Sequence, residues 1–260
     1  MIDRGQGAPI VMIPGIQGRW EWMGPAVHAV AKRCRVLTFS YDRPPRAREQ
    51  QQGGNLDRLV EQVREVMDQA GVERAFICGV SFGGFIATRF AARYPERTNG
   101  LILVSSPTPR WQPNATLLKY MERPLLSMPL VLPAWFLRMW PEIFAAKPTF
   151  AGRVSFGCRY FTRALLSPLS VTRMTEWAKL KMATDIVDDC SRVTAPAMLI
   201  TGEASLDRVV DLHATRDYLT LINNLRHETI EGTGHIGLVT KPEAFADLVC
   251  GFVEEHSRAS

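Results

Sequence analysis

The chain has 260 residues, 46% of them hydrophobic and 22% charged, with a formal net charge of +5. That balance provides for a full apolar core and excludes a disordered or fibrous chain. The longest uncharged apolar stretch, Pro124 to Leu137, is shorter than the ~20 residues a spanning helix needs and carries Pro129 and Pro133, so no transmembrane segment is expected.

The opening MIDRGQGAP lacks the apolar run of a signal peptide. Cys34, Cys78, Cys158, Cys190 and Cys250 are scattered, without C-x-x-C or metal-ligand spacing, and read as reduced core residues of a cytoplasmic protein. The sequence pI near 9.1 comes with no recognition motif, so nucleic acid is not an expected partner.

In chain order, apolar runs alternate with amphipathic stretches. Residues 10–14 predict a strand, 24–33 a helix, 35–41 a strand and 55–71 a helix ending at Gly71. Residues 74–80 predict a buried strand, and Phe82, Ile86, Phe90 and Tyr94 fall on one face of a helix directly after it. A strand at 100–106 follows; later come a strand at 196–202, a helix over 212–222, a strand at 226–232 and a last helix from Pro242 to about His256. Such alternation implies an α/β fold, a mostly parallel sheet covered by helices on both faces.

The interval from Pro107 to Met182 breaks the rhythm. It shows no strand pattern and holds nine prolines and the bulky Trp111, Tyr120, Trp135, Trp140, Tyr160 and Trp177. It reads as a helical cap inserted into a core of residues 1–106 and 183–260. Ligands of open α/β sheets bind outside the carboxyl ends of the strands, and the cap would roof that edge. The interval also carries eleven Lys and Arg against three acids, a net of +8 that exceeds the +5 of the whole chain.

The stretch ICGVSFGG puts Ser81 at a strand-to-helix turn, between Gly79 and Gly83, which have no Cβ to obstruct so sharp a bend. A serine hydroxyl is a weak nucleophile. It needs a base, an acid to orient that base, and donors for an oxyanion, all at the same sheet edge.

His235, in EGTGHIGL just after the strand at 226–232, sits where a base belongs. His28 and His213 fall in predicted helices, His227 begins a strand and His256 is in the tail, positions that suit structural or solvated roles. After the strand at 196–202, Glu203, Asp207 and Asp211 compete as the acid, and Asp207 has the best reach toward His235. The amide of Phe82 and one from the loop Pro14 to Gly18 are the expected oxyanion donors; Ile16 is chosen there, with Gln17 the alternative. Cys78, beside the serine turn, belongs to a buried strand and is expected to be inert. No metal or cofactor is called for.

The order of nucleophile, acid and histidine, with VSFGG at the turn, TGEASLDRVV after a late strand and GTGHIGLVTKPEAF before the last helix, resembles the α/β-hydrolase superfamily over nearly the whole chain. The resemblance implies a three-layer α/β-hydrolase fold with a helical cap. It implies Ser81 as nucleophile, Asp207 as acid, His235 as base, and the amides of Ile16 and Phe82 as the oxyanion hole. A serine at position 81 separates the chain from haloalkane dehalogenases, which carry aspartate there. Carboxylesterase, lactonase, C–C hydrolase, acyltransferase and perhydrolase chemistries remain open.

The chain departs from that pattern in three places. The first loop reads Pro14-Gly15-Ile16 where the family usually has His-Gly-x, Asp207 lies two residues beyond the usual acid position, which Ser205 fills, and the opening hairpin is missing or nearly so. The leading expectation is a soluble serine hydrolase acting on a small ester, lactone or related carbonyl compound. The rival is a ligand-binding or scaffold protein on the same fold with an idle triad.

Overall fold

Successive side chains of a strand point to opposite faces, and the apolar runs here are buried on both. The structure, a computed structural model, describes residues 1–42 and 56–257, apart from the side chains at 131, 132, 135 and 136, Trp135 among them. Seven strands form one sheet: β1 Ile2–Arg4, β2 Pro9–Ile13, β3 Arg35–Thr38, β4 Ala75–Val80, β5 Thr98–Val104, β6 Ala197–Thr201 and β7 Leu225–Thr229. Their spatial order is β1-β3-β2-β4-β5-β6-β7, antiparallel only between β1 and β3.

Val11, Ile13, Ile77, Leu101, Leu103 and Leu199 face one side, where helices Asp57–Gln69 and Gly83–Arg93 bury Leu59, Val63, Phe85 and Phe90 against them. Ile10, Met12, Phe76, Cys78, Ile102 and Met198 face the other, beneath helices Gly24–Val30 and Pro242–Ser257 with Val27, Val30, Val249 and Phe252. At ~1.5–3 kcal/mol for each large apolar side chain buried, these two layers fasten the helices to both faces of the sheet.

The structure alters several expectations. An opening strand is present: β1 pairs Ile2, Asp3 and Arg4 with Thr38, Leu37 and Val36. The helix expected over 212–222 divides at Arg216 into Leu212–Thr215 and Asp217–Leu221. Asn55, at the expected start of the second helix, lies outside the described residues. His256 belongs to the last helix, where its Nδ1 lies 2.9 Å from the carbonyl oxygen of Phe252. Of the five cysteines expected in the core, Cys158 is exposed, because its helix turns several apolar residues outward.

Between β5 and β6 run five helices and no strand, four of them before residue 183, Ala115–Glu122, Pro124–Ala146, Phe150–Leu166 and Val171–Met182, with Val187–Arg192 leading back to the sheet. Three of them start at a side chain that accepts an orphan N–H, Asn114 from Leu117, Thr149 from Gly152 and Ser170 from Arg173. Pro124–Ala146 continues through Pro129, Pro133 and Pro141, each of which forgoes its own N–H bond. The last of the four reaches the core through the buried Trp177 and Leu180. Its Lys181 ammonium, also buried, donates to the carbonyls of Pro109 at 2.9 Å and Trp111 at 3.1 Å, tying down the start of the excursion.

The chain reverses direction across the sheet at β2 and β4. From β2 it leads outward to β3, from β4 the opposite way to β5, so the loops leaving these two neighbouring strands diverge. A crevice opens between them at the carboxyl edge, as it does in open α/β sheets at such a switch point. Register aligns the ends: Ile13 pairs with Gly79, Val80 with Val104, Val104 with Ile200 and Thr201 with Thr229.

Candidate active site

Ser81 takes the first position beyond β4 with φ of +52°, a left-handed conformation uncommon outside glycine. Three contacts hold it there. Its N–H donates to the Val104 carbonyl at 2.7 Å, while its own carbonyl accepts from the Gly84 N–H at 2.9 Å and the Ser106 hydroxyl at 3.0 Å. The nearby glycines serve close packing: a Cβ on Gly79 would stand 2.4 Å from the Gly83 carbonyl oxygen, and one on Gly83 2.6 Å from that of Ile13. Within the turn Ser81 bears the backbone strain, Ser105 just beyond the neighbouring β5 being left-handed as well at φ +45°, and the turn leaves the Ser81 hydroxyl beside the N-terminus of helix Gly83–Arg93.

His235 follows β7 in a buried loop and places Nε2 3.2 Å from Ser81 Oγ. Its Nδ1 faces Asp207 Oδ2 at 3.4 Å, and neither buried atom has a hydrogen-bond partner among the described residues. The other Asp207 oxygen accepts from the N–H groups of Val209 and Val210, both at 2.9 Å. Burial pushes the Asp207 carboxyl up, but His235 and the two N–H groups outweigh it and hold the group below its usual range.

The competing acids point elsewhere. Glu203 accepts from the Gly232 N–H, and Asp211 caps Leu212–Thr215 by accepting from His213 at 2.9 Å. Cys78 is fully buried, and burial lifts its thiol to about 12, which keeps it protonated and unreactive.

Ile16 and Phe82 border the same hollow as Ser81, a space of about 370 Å³. Neither N–H donates to a backbone carbonyl among the described residues. The loop of Ile16 is a turn closed by the Gly18 N–H on the Gly15 carbonyl at 2.8 Å, with Gly18 at φ +67°. Tyr41 braces it by donating to the Pro14 carbonyl oxygen and packing edge-on against Trp177. Phe85, Trp111, Leu117, Val209 and Val210 supply apolar walls to the hollow, and Arg138 and Asp211 its charges. A second, narrower space of about 40 Å³ also touches Ser81, between Val80, His235, Trp22 and Tyr160.

One residue of the site was not anticipated. Glu142, almost fully buried on helix Pro124–Ala146, accepts from the Thr233 hydroxyl at 2.5 Å and the Ile236 N–H at 3.0 Å, on either side of His235. Burial is the main influence on its carboxyl and raises it above the usual range, against those hydrogen bonds and the nearby His235. A signal was present: Arg138 and Glu142 are the only charges in this 23-residue apolar helix. A lone carboxylate in such a run needs a buried partner.

This arrangement can be set beside known proteins. The family model described as the alpha/beta hydrolase family matches residues 10–248. The chain belongs to the alpha/beta hydrolase family. Among its relatives in that family, a 2-hydroxymuconate semialdehyde hydrolase from a Pseudomonas species is 34% identical over 113 residues, 40% of this chain and 38% of that protein. The polyketide synthase ThaQ of Burkholderia thailandensis is 25% identical over 98% of this chain but only 12% of its own length. The chain therefore spans well under two thirds of these curated relatives.

Among alpha/beta hydrolases of known structure, the enol-lactonase of Burkholderia xenovorans is similar at a TM-score of 0.77 and 18% identity, over 97% of this chain and 95% of that one. An esterase of Exiguobacterium antarcticum is similar at 0.76 and 18%, over 97% and 94%. At such identity these likenesses concern the fold. Among the described residues no helix is long and apolar enough to cross a membrane.

Proposed function

We propose that this chain is a serine hydrolase that cleaves a small ester, lactone or related carbonyl compound through an acyl-enzyme. The observation that carries the reading is the strained Ser81, its hydroxyl 3.2 Å from His235 Nε2. In this reading Ser81 Oγ attacks the carbonyl carbon while His235 takes its proton, and Asp207 behind the ring holds the imidazole and balances the imidazolium. The amides of Ile16 and Phe82 receive the oxyanion, helped by the helix end at Gly83. His235 then returns the proton to the leaving group, water attacks the acyl-enzyme, and the serine is regenerated. Residues 107–182 act as a cap over the hollow, which Arg138, Leu117 and Trp111 border from that side.

The semialdehyde hydrolase and the enol-lactonase, as named, lend support for a carbonyl substrate. The test is a fluorophosphonate probe together with a series of p-nitrophenyl esters. One adduct on Ser81, ester turnover, and a loss of about a millionfold in Ser81→Ala are expected if the three residues act as a unit. Labelling that persists in Ser81→Ala ends the reading, and an intact fold without turnover transfers the chain to the ligand-binding alternative.

A further inference from the structure

An amphipathic surface helix ordinarily shows water its charges and the core its apolar stripe. Two helices of the cap do the reverse. Of the 16 large apolar side chains exposed among the described residues, 14 lie between residues 107 and 182. On Pro124–Ala146 the exposed Leu126, Leu130, Leu137, Trp140 and Phe144 recur at spacings of four and seven, then three and four, which is one helix face; Met139, Glu142 and Ile143 are buried on the other. On Phe150–Leu166 the exposed Phe150, Val154, Phe161 and Leu165 form a second such stripe. The helices meet where the Arg153 guanidinium lies 3.8 Å from the Phe144 ring centroid and Phe156 packs on Met139 and Ile143.

We infer that this outward face docks on an anionic lipid bilayer. The apolar stripes would enter the boundary between headgroups and acyl chains, and the cations around them would meet lipid phosphates. Charge decides the occupant. Residues 107–182 carry a net +8, the buried Lys181 included, while the rest of the chain is net negative, so a second copy docked face to face would bring two positive surfaces together. An anionic leaflet neutralises that charge. The helices are not spans, and binding is confined to the surface. Leu117 and Arg138 lie in the same segment and border the Ser81 hollow, so docking would bring that hollow close to the bilayer.

The test is cosedimentation of the full chain with phosphatidylcholine vesicles, with and without about a quarter phosphatidylglycerol, across a salt series. Binding that requires phosphatidylglycerol and weakens with salt is expected. Two multiple variants, Leu126→Ser with Leu130→Ser and Leu137→Ser, and Arg123→Glu with Arg159→Glu, should each lower partitioning at least tenfold while turnover of a water-soluble ester is unchanged. Brominated lipid should quench wild-type tryptophan emission, and Trp140→Phe should reduce that quenching, a readout that does not depend on the multiple variants folding. No binding by the wild type, unchanged binding by either folded variant, or no quenching overturns the inference. So does a dimer in sedimentation velocity that the leucine variant dissociates, which would assign the face to self-association.

Discussion

Glu142 Oε1 and the backbone N–H of Ile236 are 3.0 Å apart, so a carboxylate from the excursion between β5 and β6 is fastened to the loop that carries His235. Because the folded carboxyl is raised above its unfolded value, the stability linked to its protonation is fully present below the unfolded pKa and is lost as pH rises through the folded pKa. Glu142→Gln resembles the protonated form at every pH. Its melting temperature relative to wild type should therefore climb as pH goes from acid to neutral, in paired thermal scans. Glu142→Ala leaves the Thr233 hydroxyl and Ile236 N–H unsatisfied in a buried site, at about 1–3 kcal/mol each. It should fall below wild type at all pH values.

Asp207 and Glu203 separate by what they touch. Asp207→Asn favours the wrong imidazole tautomer and should lower kcat by up to roughly ten-thousandfold, with circular dichroism unchanged. Glu203→Gln alters only the acceptor for the Gly232 N–H and should change kcat much less. Steady-state kinetics with one soluble ester compares the two, and the reverse order would reassign the acid.

Arg138 brings a guanidinium to a hollow whose other charge, Asp211, is engaged in capping Leu212–Thr215 and whose walls are largely apolar. Of two matched esters, one neutral and one with a distal carboxylate, the anionic one should show the higher kcat/KM, with a margin that shrinks as salt rises beyond the ~8 Å screening length of physiological buffer. Arg138→Gln should remove most of that margin. A neutral ester preferred at every salt concentration would mean that the hollow selects for apolar groups alone.

Far from the hollow, Asp189 is buried between Arg89, whose Nη1 is 2.7 Å from Oδ2, and Arg192. Arg89 keeps Asp57, 2.6 Å from its Nε, and the half-exposed Arg192 keeps Asp188 at 3.2 Å, so Asp189→Ala removes charge-assisted hydrogen bonds without stranding a buried cation and should cost about 2 kcal/mol. At roughly 2–4 °C per kcal/mol for a chain of this size, calorimetry should show a fall on the order of 5 °C. The turnover of the folded fraction should not change.

Much of this architecture was legible because it is local. Apolar runs and helical spacing located β2 to β6 and the longer core helices to within a few residues, since burial on both faces writes a continuous signal, while the half-buried β7 showed through its place in the alternation and the six-residue helix Val187–Arg192 was too short to show at all. Ser81, Asp207 and His235 stood out because each sits in a short loop after a strand, and the structure brings all three within reach of one another. What escaped was set by tertiary contact. The three residues of β1 are too few for a period and exist through pairing with β3. The prolines of 124–146 read as interruptions, yet packing carries the helix through them. Glu142 finds its partners 91 to 98 positions away in sequence, which no local pattern encodes.

The two spaces that touch Ser81 differ about ninefold in volume, some 370 Å³ against 40 Å³. An acyl carbon attached to Oγ would therefore meet a roomy side and a cramped one, and the smaller accepts little beyond a methyl group or a water molecule. If Ser81 is acylated as proposed, such a site is handed. Mirror-image esters that differ in which arm is bulky become unequal guests, and a racemate would be consumed one enantiomer ahead of the other.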